Sequence, residues 1–168
     1  MYRVAGALAL VATLAGCAAP KAPEQSLRAP GAMISSAALF DPARFAGDWV
    51  VAQSATPGCA GAKQHWQAQP KGGFSLSGID CTGAVPAVLA GRATLTGPGG
   101  RLEPTQGYGR APIFVLWVDQ DYRVAALGTP SGAWGVILAR PGMGRDDLIA
   151  AAREVLDFNG YDLRRIGP

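Results

Sequence analysis

The sequence predicts an all-β domain followed by a single helix, and three observations carry that prediction. Eight short runs, apolar or alternating, recur at close and regular spacing. Glycine, at 23 of 168 residues, falls between those runs as turn punctuation. One segment alone, beginning at Arg145, spaces its apolar residues as a helix does. Strands arranged in this way build a sandwich or a barrel.

The strands follow in order. "DWVVAQS" (Asp48–Ser54) is the first, and "KQHWQAQ" (Lys63–Gln69) the second. Lys71-Gly72-Gly73 forms a hairpin turn into "FSLSGID" (Phe74–Asp80), which alternates apolar and polar. "AVLAGRATLT" (Ala87–Thr96) is turned by Pro98-Gly99-Gly100 into a strand beginning at Arg101. The last three, "IFVLWV" (Ile113–Val118), "YRVAALG" (Tyr122–Gly128) and "WGVILAR" (Trp134–Arg140), are apolar at nearly every position. Such strands are covered on both faces. The helix supplies one cover: Leu148, Ala151, Ala152, Val155 and Leu156 share a face, Asp146 and Asp147 favour its N-terminal dipole, and Asn159-Gly160 stops it.

The first thirty residues read as an export leader and a tether. Arg3 is the positive start, and Val4–Leu14 is uncharged but too short to cross a bilayer, which takes ~20 apolar residues. Leu14-Ala15-Gly16-Cys17 resembles the lipobox of bacterial lipoproteins. That resemblance implies cleavage before Cys17 and acylation of its thiol and amine, an anchor of two or more chains strong enough for stable membrane attachment. Ala18 stands where an aspartate retains many lipoproteins in the inner membrane, so the outer membrane is the expected destination, with the domain in the periplasm. The expected organisation is a signal peptide over 1–16, a lipid-anchored flexible tether over 17–34 and a barrel domain over 35–168.

Charge excludes some classes of function. The formal net charge is +3, and removing Arg3 with the leader lowers it to +2, so there is no basic footprint for nucleic acid. His65 is the one histidine and has no companion cluster, which leaves zinc catalysis and Ser-His-Asp chemistry without material. No catalytic residue, metal or cofactor is expected. Cys59 and Cys81 form an even pair beside turn residues in an exported, oxidising context, and a disulfide is expected between them.

Eight strands and one trailing helix resemble a lipocalin, and three motifs agree. "FDPARFAGDWVVAQS" is similar to the lipocalin opening, in which Gly47-x-Trp49 starts the first strand. "DQDYRVAALGTPSGAWGVILARPG" resembles the bacterial and apolipoprotein D-like members, with Asp121-Tyr122 opening the seventh strand and Arg140 ending the eighth. "FNGYDLRRI" resembles their close. The likeness covers Leu39–Gln53 and Asp119–Ile166. It implies an eight-stranded antiparallel up-and-down β-barrel with the C-terminal helix packed outside.

Strand parity in such a barrel places Gly47, Trp49, Asp121, Tyr122 and Arg140 together at a closed end, with a cation–π plug worth ~1–2 kcal/mol. It places Cys59 and Cys81 at the open end, where a bond between them adds roughly 3 kcal/mol. Alternation from Trp49 turns Val51 and Gln53 inward; alternation from Arg140 turns Leu138, Val136 and Trp134 inward, with Trp134 nearest the mouth. Tyr108 is expected at the rim, and Phe114 and Leu116 are the expected inward residues of strand six. Trp66, on a more polar strand, is expected to take no part in binding. An eight-stranded barrel has room for one small ligand or for packed side chains. This lining suits a hydrophobic ligand such as a fatty acid or lysophospholipid, bound or carried at the outer membrane. A periplasmic protease inhibitor of the small β-barrel kind is the alternative, and an isomerase would want a reactive cysteine inside the barrel.

Overall fold

The computed structural model describes residues 26–168; the leader, Cys17 and the first half of the tether lie outside the described residues. A one-turn helix, α1 (Pro42–Phe45), precedes β1 (Gly47–Ser54), β2 (Lys63–Ala68), β3 (Phe74–Asp80) and β4 (Ala87–Leu95). Then come β5 (Arg101–Pro104), β6 (Ile113–Val118), β7 (Val124–Gly128), β8 (Gly135–Ala139) and the helix α2 (Asp146–Phe158). Each strand pairs antiparallel with its sequence neighbours, and β8 returns to β1, so the sheet closes into an eight-stranded up-and-down barrel. Of sandwich and barrel, the closed barrel is what forms.

Two apolar clusters sit on opposite faces of this sheet. The inner one contains Trp49, Trp66, Phe74, Leu89, Leu102 and Leu127. The outer one joins Leu116, Val124, Ala126, Ile137 and Ala139 of the last strands to Ala152 and Leu156 of α2. Every residue of β7 and β8 is buried, which is why those strands carry no polar alternation. Asp146 and Asp147 occupy the first turn of α2, and Gly160, at φ 84°, follows its C-cap Asn159. Each large apolar side chain taken up under the helix contributes roughly 1.5–3 kcal/mol.

A register bulge in β1 and the phase of alternation in β6 overturn three expected inward positions, Gln53, Phe114 and Leu116. In β1, Val51 pairs with Leu138 but Gln53 pairs with Ile137, so Ala52 is an extra residue. Gln53 consequently faces outward, where the Arg153 guanidinium donates to its Oε1 and to Ile166 O (2.9 Å). The shift recurs in β6 between Val115 and Trp117. There Ile113 and Val115 point inward, while Phe114 and Leu116 belong to the outer cluster. Phe114 lies under the Arg101 guanidinium, 5.2 Å from its ring centre. Both faces of β6 are apolar, so composition carries no sign of which one is inner.

Beyond α2 the chain folds back across the barrel. Tyr161 packs against Gly128 and Gly135, and a Cβ on Gly128 would lie 2.1 Å from the Tyr161 hydroxyl. That hydroxyl accepts from Thr129 N–H (2.8 Å) and donates to Thr129 O (2.9 Å). Burial pushes the phenol up to about 12, so it stays a donor at neutral pH. Gly128→Ala is expected to destabilise the domain by ~1–3 kcal/mol through overpacking. Tyr161→Phe is expected to cost ~1–3 kcal/mol by leaving the Thr129 amide unpaired. Urea unfolding checks both, and an unchanged midpoint would show that this contact does not hold the C-terminal segment.

Candidate functional site

One end of the barrel is plugged by Arg140. Its guanidinium lies over the Trp49 ring, 3.9 Å from the centroid. It donates to Tyr122 O (3.1 Å) and Asp48 O (3.0 Å), and to the terminal carbonyls of α1 at Arg44 (2.8 Å), Phe45 (3.1 Å) and Ala46 (3.0 Å). Carbonyls at a helix end lack intrahelical donors, so the cation caps these three, sharing Phe45 O with the Trp49 indole. Burial lowers the Arg140 pKa and the nearby Asp48 charge opposes that; the group stays charged. Gly47 has φ 115°, and a Cβ there would stand 3.0 Å from Arg140 Nη1. This close approach is the physical reason for a glycine two residues before the tryptophan, whose Nε1–H donates to Phe45 O (2.9 Å).

Tyr122 completes this end. Its hydroxyl accepts from Asp41 N–H (2.7 Å), and the Arg44 guanidinium covers its ring at 4.4 Å. Asp121 is here too but solvent-exposed, paired with Arg123 at 3.2 Å. The buried carboxylate of the turn is Asp119, which sequence reading passed over. It accepts from the amides of Asp121, Arg123 and Val124 and from Arg123 Nε (2.8 Å). Burial raises its pKa, but those hydrogen bonds outweigh burial and leave it below the ordinary carboxylate value. An aspartate whose following amides lie in a tight turn was the available signal.

Between the ends runs a continuous column of rings. Phe45 meets Trp49 (4.8 Å), Trp66 (5.2 Å) and Phe74 (5.7 Å); Trp66 meets Tyr108 (5.6 Å), and Tyr108 meets Trp134 (5.0 Å). Trp66 is thus central, against the expectation drawn from its polar strand. A void large enough for an acyl chain would leave its walls with accessible surface. Trp66, Phe74, Tyr108, Ile113 and Val115 are 0% exposed, and Val51 and Val136 are 1%. The barrel is filled by its own side chains.

At the open end, Cys59 and Cys81 are disulfide-bonded, joining the β1–β2 and β3–β4 loops. Trp134 Nε1–H donates to Tyr108 O (3.0 Å), and Tyr108 lies inside the barrel rather than at the rim. The Tyr108 hydroxyl donates to Gln64 Oε1 (2.7 Å), which also accepts from Trp66 Nε1 (3.2 Å). Burial, then the Asp80 charge, raise the Tyr108 pKa strongly, with the Gln64 bond opposing them. Gly107, Tyr108, Gly109 and Arg110 have φ of 73°, 53°, 60° and 56°. For the tyrosine and arginine this left-handed backbone is strained. A shallow hollow of about 200 Å³ opens beside Trp134, between Thr56, Thr82, Gly83 and Arg165.

Val51, Trp134, Val136 and Leu138 face inward with Tyr108, while Gln53, Phe114 and Leu116 do not. Gln64, Trp66, Ile113 and Val115 are among the inner residues that the sequence did not point to. His65 is an exposed residue 2.6 Å from Asp48 Oδ1. Among the described residues no group of three or more His, Cys, Asp or Glu could hold a metal ion.

In shape, the closed eight-stranded barrel with its one C-terminal helix is lipocalin-like. No family model matches the chain, and no curated protein matches it.

Arg140→Ala is expected to destabilise the domain by about 2–4 kcal/mol, since it removes charge-assisted hydrogen bonds together with the cation–π contact. Denaturant titration at neutral pH reads this directly. Asp119→Asn tests the second charge by its pH dependence. A carboxyl whose pKa is lower folded than unfolded (~3.9) stabilises above that value and loses the contribution as pH falls through the folded pKa. The deficit of the asparagine variant is therefore expected at pH 7 and to shrink towards pH 2. A deficit independent of pH would assign the effect to packing.

Proposed function

We propose that the protein binds or carries small hydrophobic molecules, of the fatty-acid or lysophospholipid kind, in the cell envelope, held to the outer membrane through Cys17. One observation carries this reading: a largely apolar, aromatic column inside a closed barrel, sealed by a charged plug at one end and covered at the other by Trp134 and loops without such a plug. Over the open end stand Trp134 and the β5–β6 loop whose Tyr108 carbonyl it holds, a loop with positive φ at four successive residues, Gly107 to Arg110. Strain of that kind gathers at ligand clamps and switch regions. Because the column is packed, a ligand enters only as Trp134 and Tyr108 move, and it takes their place against Val136 and Leu138. The apolar lining fits a hydrophobic body, and Gln64 offers one buried amide to a polar head.

The packing also favours a second reading, the small-barrel protease inhibitor, which would work through its surface and need no cavity. Titration separates the two. A long-chain fatty acid or lysophospholipid is expected to change tryptophan fluorescence and saturate at one equivalent. Trp134→Ala is expected to remove most of that signal, whereas Trp117→Phe, on the outer face, leaves it. Val136→Glu is expected to abolish binding, because an unpaired buried carboxylate is costly and obstructs the chain. A flat titration at all chain lengths, with the barrel folded by circular dichroism, would reject ligand binding and leave the surface reading.

A further inference from the structure

The first described residues are fastened to one particular end of the barrel. Leu27 N–H donates to Gly132 O (2.6 Å), and the Ser26 hydroxyl to Ser131 O (3.0 Å). The Arg28 guanidinium donates to Pro130 O (2.6 Å) and Asn159 O (2.8 Å). Pro130 to Gly132 belong to the β7–β8 loop, which parity places at the open end with the disulfide and Trp134. Only afterwards does the chain descend the outside of the barrel. Ala37 N–H meets Val115 O (2.8 Å) on the way, and Asp41 N–H reaches the Tyr122 hydroxyl at the closed end.

Covalent reach then limits how the domain can sit. Nine peptide bonds separate Cys17 from Ser26 in the sequence, a contour of at most ~30 Å. The eight residues of β1 run ~26 Å along the strand, or about 20 Å of barrel height at the tilt of such barrels, before loops are added at either end. With the open end towards the bilayer, an anchor at Cys17 is met at any extension of the tether. With the closed end down, the tether would have to run nearly taut up the side of the barrel.

The open end has side chains suited to that surface. Val85 and Val88 in the β3–β4 hairpin are 69% and 81% exposed. Phe158, 85% exposed, ends α2 beside the Asn159 carbonyl that Arg28 holds. Arg110 in the β5–β6 loop is exposed, as is Arg164, which shares its charge with Asp162. Apolar tips beside arginines suit the boundary between acyl chains and phosphates. Leu39, 96% exposed, lies at the opposite end, so it is the attachment point and not exposure alone that distinguishes the two.

We infer that the open end is a membrane-docking surface, seated on the phospholipid leaflet that holds the Cys17 anchor. Val85, Val88 and Phe158 rest at the acyl boundary, with Arg110 and Arg164 near the phosphates. The mouth then exchanges an amphiphile with the bilayer without passing it through water. This rests on acylation of Cys17 and on the ligand reading above.

The test uses the full-length lipidated protein in vesicles of phosphatidylethanolamine with a minor share of phosphatidylglycerol. Val88→Cys and, separately, Leu39→Cys are labelled with a polarity-sensitive nitrobenzoxadiazole probe. The other cysteines are acylated or paired. The probe at position 88 is expected to shift its emission to shorter wavelength and to be quenched severalfold more strongly by doxyl-labelled lipid than the probe at 39. Equal quenching, or stronger quenching at 39, overturns the docking. Flotation of unlabelled wild type beside Cys17→Ser separates the premises. Failure of the wild type to float removes the anchor and the proposal with it. Flotation of the wild type with equal quenching keeps the anchor and rejects this orientation.

Discussion

Closure of β1 onto β8 is the constraint on which the remaining structure depends. A closed sheet has no edge to protect, but it encloses a narrow space that must be packed or kept deliberately open. In this chain aromatic side chains pack it, in edge-to-face contacts from Phe45 to Trp134. The up-and-down order of the strands fixes which loops share an end. The Cys59–Cys81 bond and the Trp49–Arg140 contact therefore lie at opposite ends although neither touches the other.

The two ends are built from different chemistry. At the closed end a guanidinium gathers carbonyls from α1, β1 and the β6–β7 turn, so a single side chain ties three segments of distant sequence together. Charge-assisted bonds of this type are stronger than neutral ones, and they suit a part that only has to hold. At the open end the two bonds across the column are neutral, an indole to a carbonyl and a phenol to an amide oxygen, while the Asp80 carboxylate accepts from Tyr108 N–H (2.7 Å). The backbone beneath them is strained at Tyr108 and Arg110. The first described residues, Ser26 and Leu27, are fastened at this same end.

Outside the barrel, α2 and the C-terminal segment answer the surplus of apolar residues on the last three strands. Tyr161 needs the bare Cα atoms of Gly128 and Gly135 to approach closely, which ties the choice of two strand glycines to one distant phenol. The N-terminal strap, held at Gly132, Val115 and Tyr122, covers the barrel from one end to the other. Strap and helix meet at Asn159, whose Oδ1 accepts from Ser35 N–H (2.9 Å).

The sequence by itself determined the number and order of the strands, the single helix and its stop, and the grouping of Trp49, Tyr122 and Arg140 at one end. Each of these follows from periodicity, turn chemistry or strand parity, which are local or countable. It could not determine the inner face of β6, because both faces are apolar, nor the outward turn of Gln53, because a bulge adds a residue without any mark in composition. Trp66 was misjudged for a related reason: one indole on a polar strand can be the inward member of the alternation. The choice of Asp119 over Asp121 depended on which carboxylate the turn folds around. Whether the barrel is hollow was likewise a matter of tertiary structure alone, since it depends on the summed volume of side chains brought together from all eight strands.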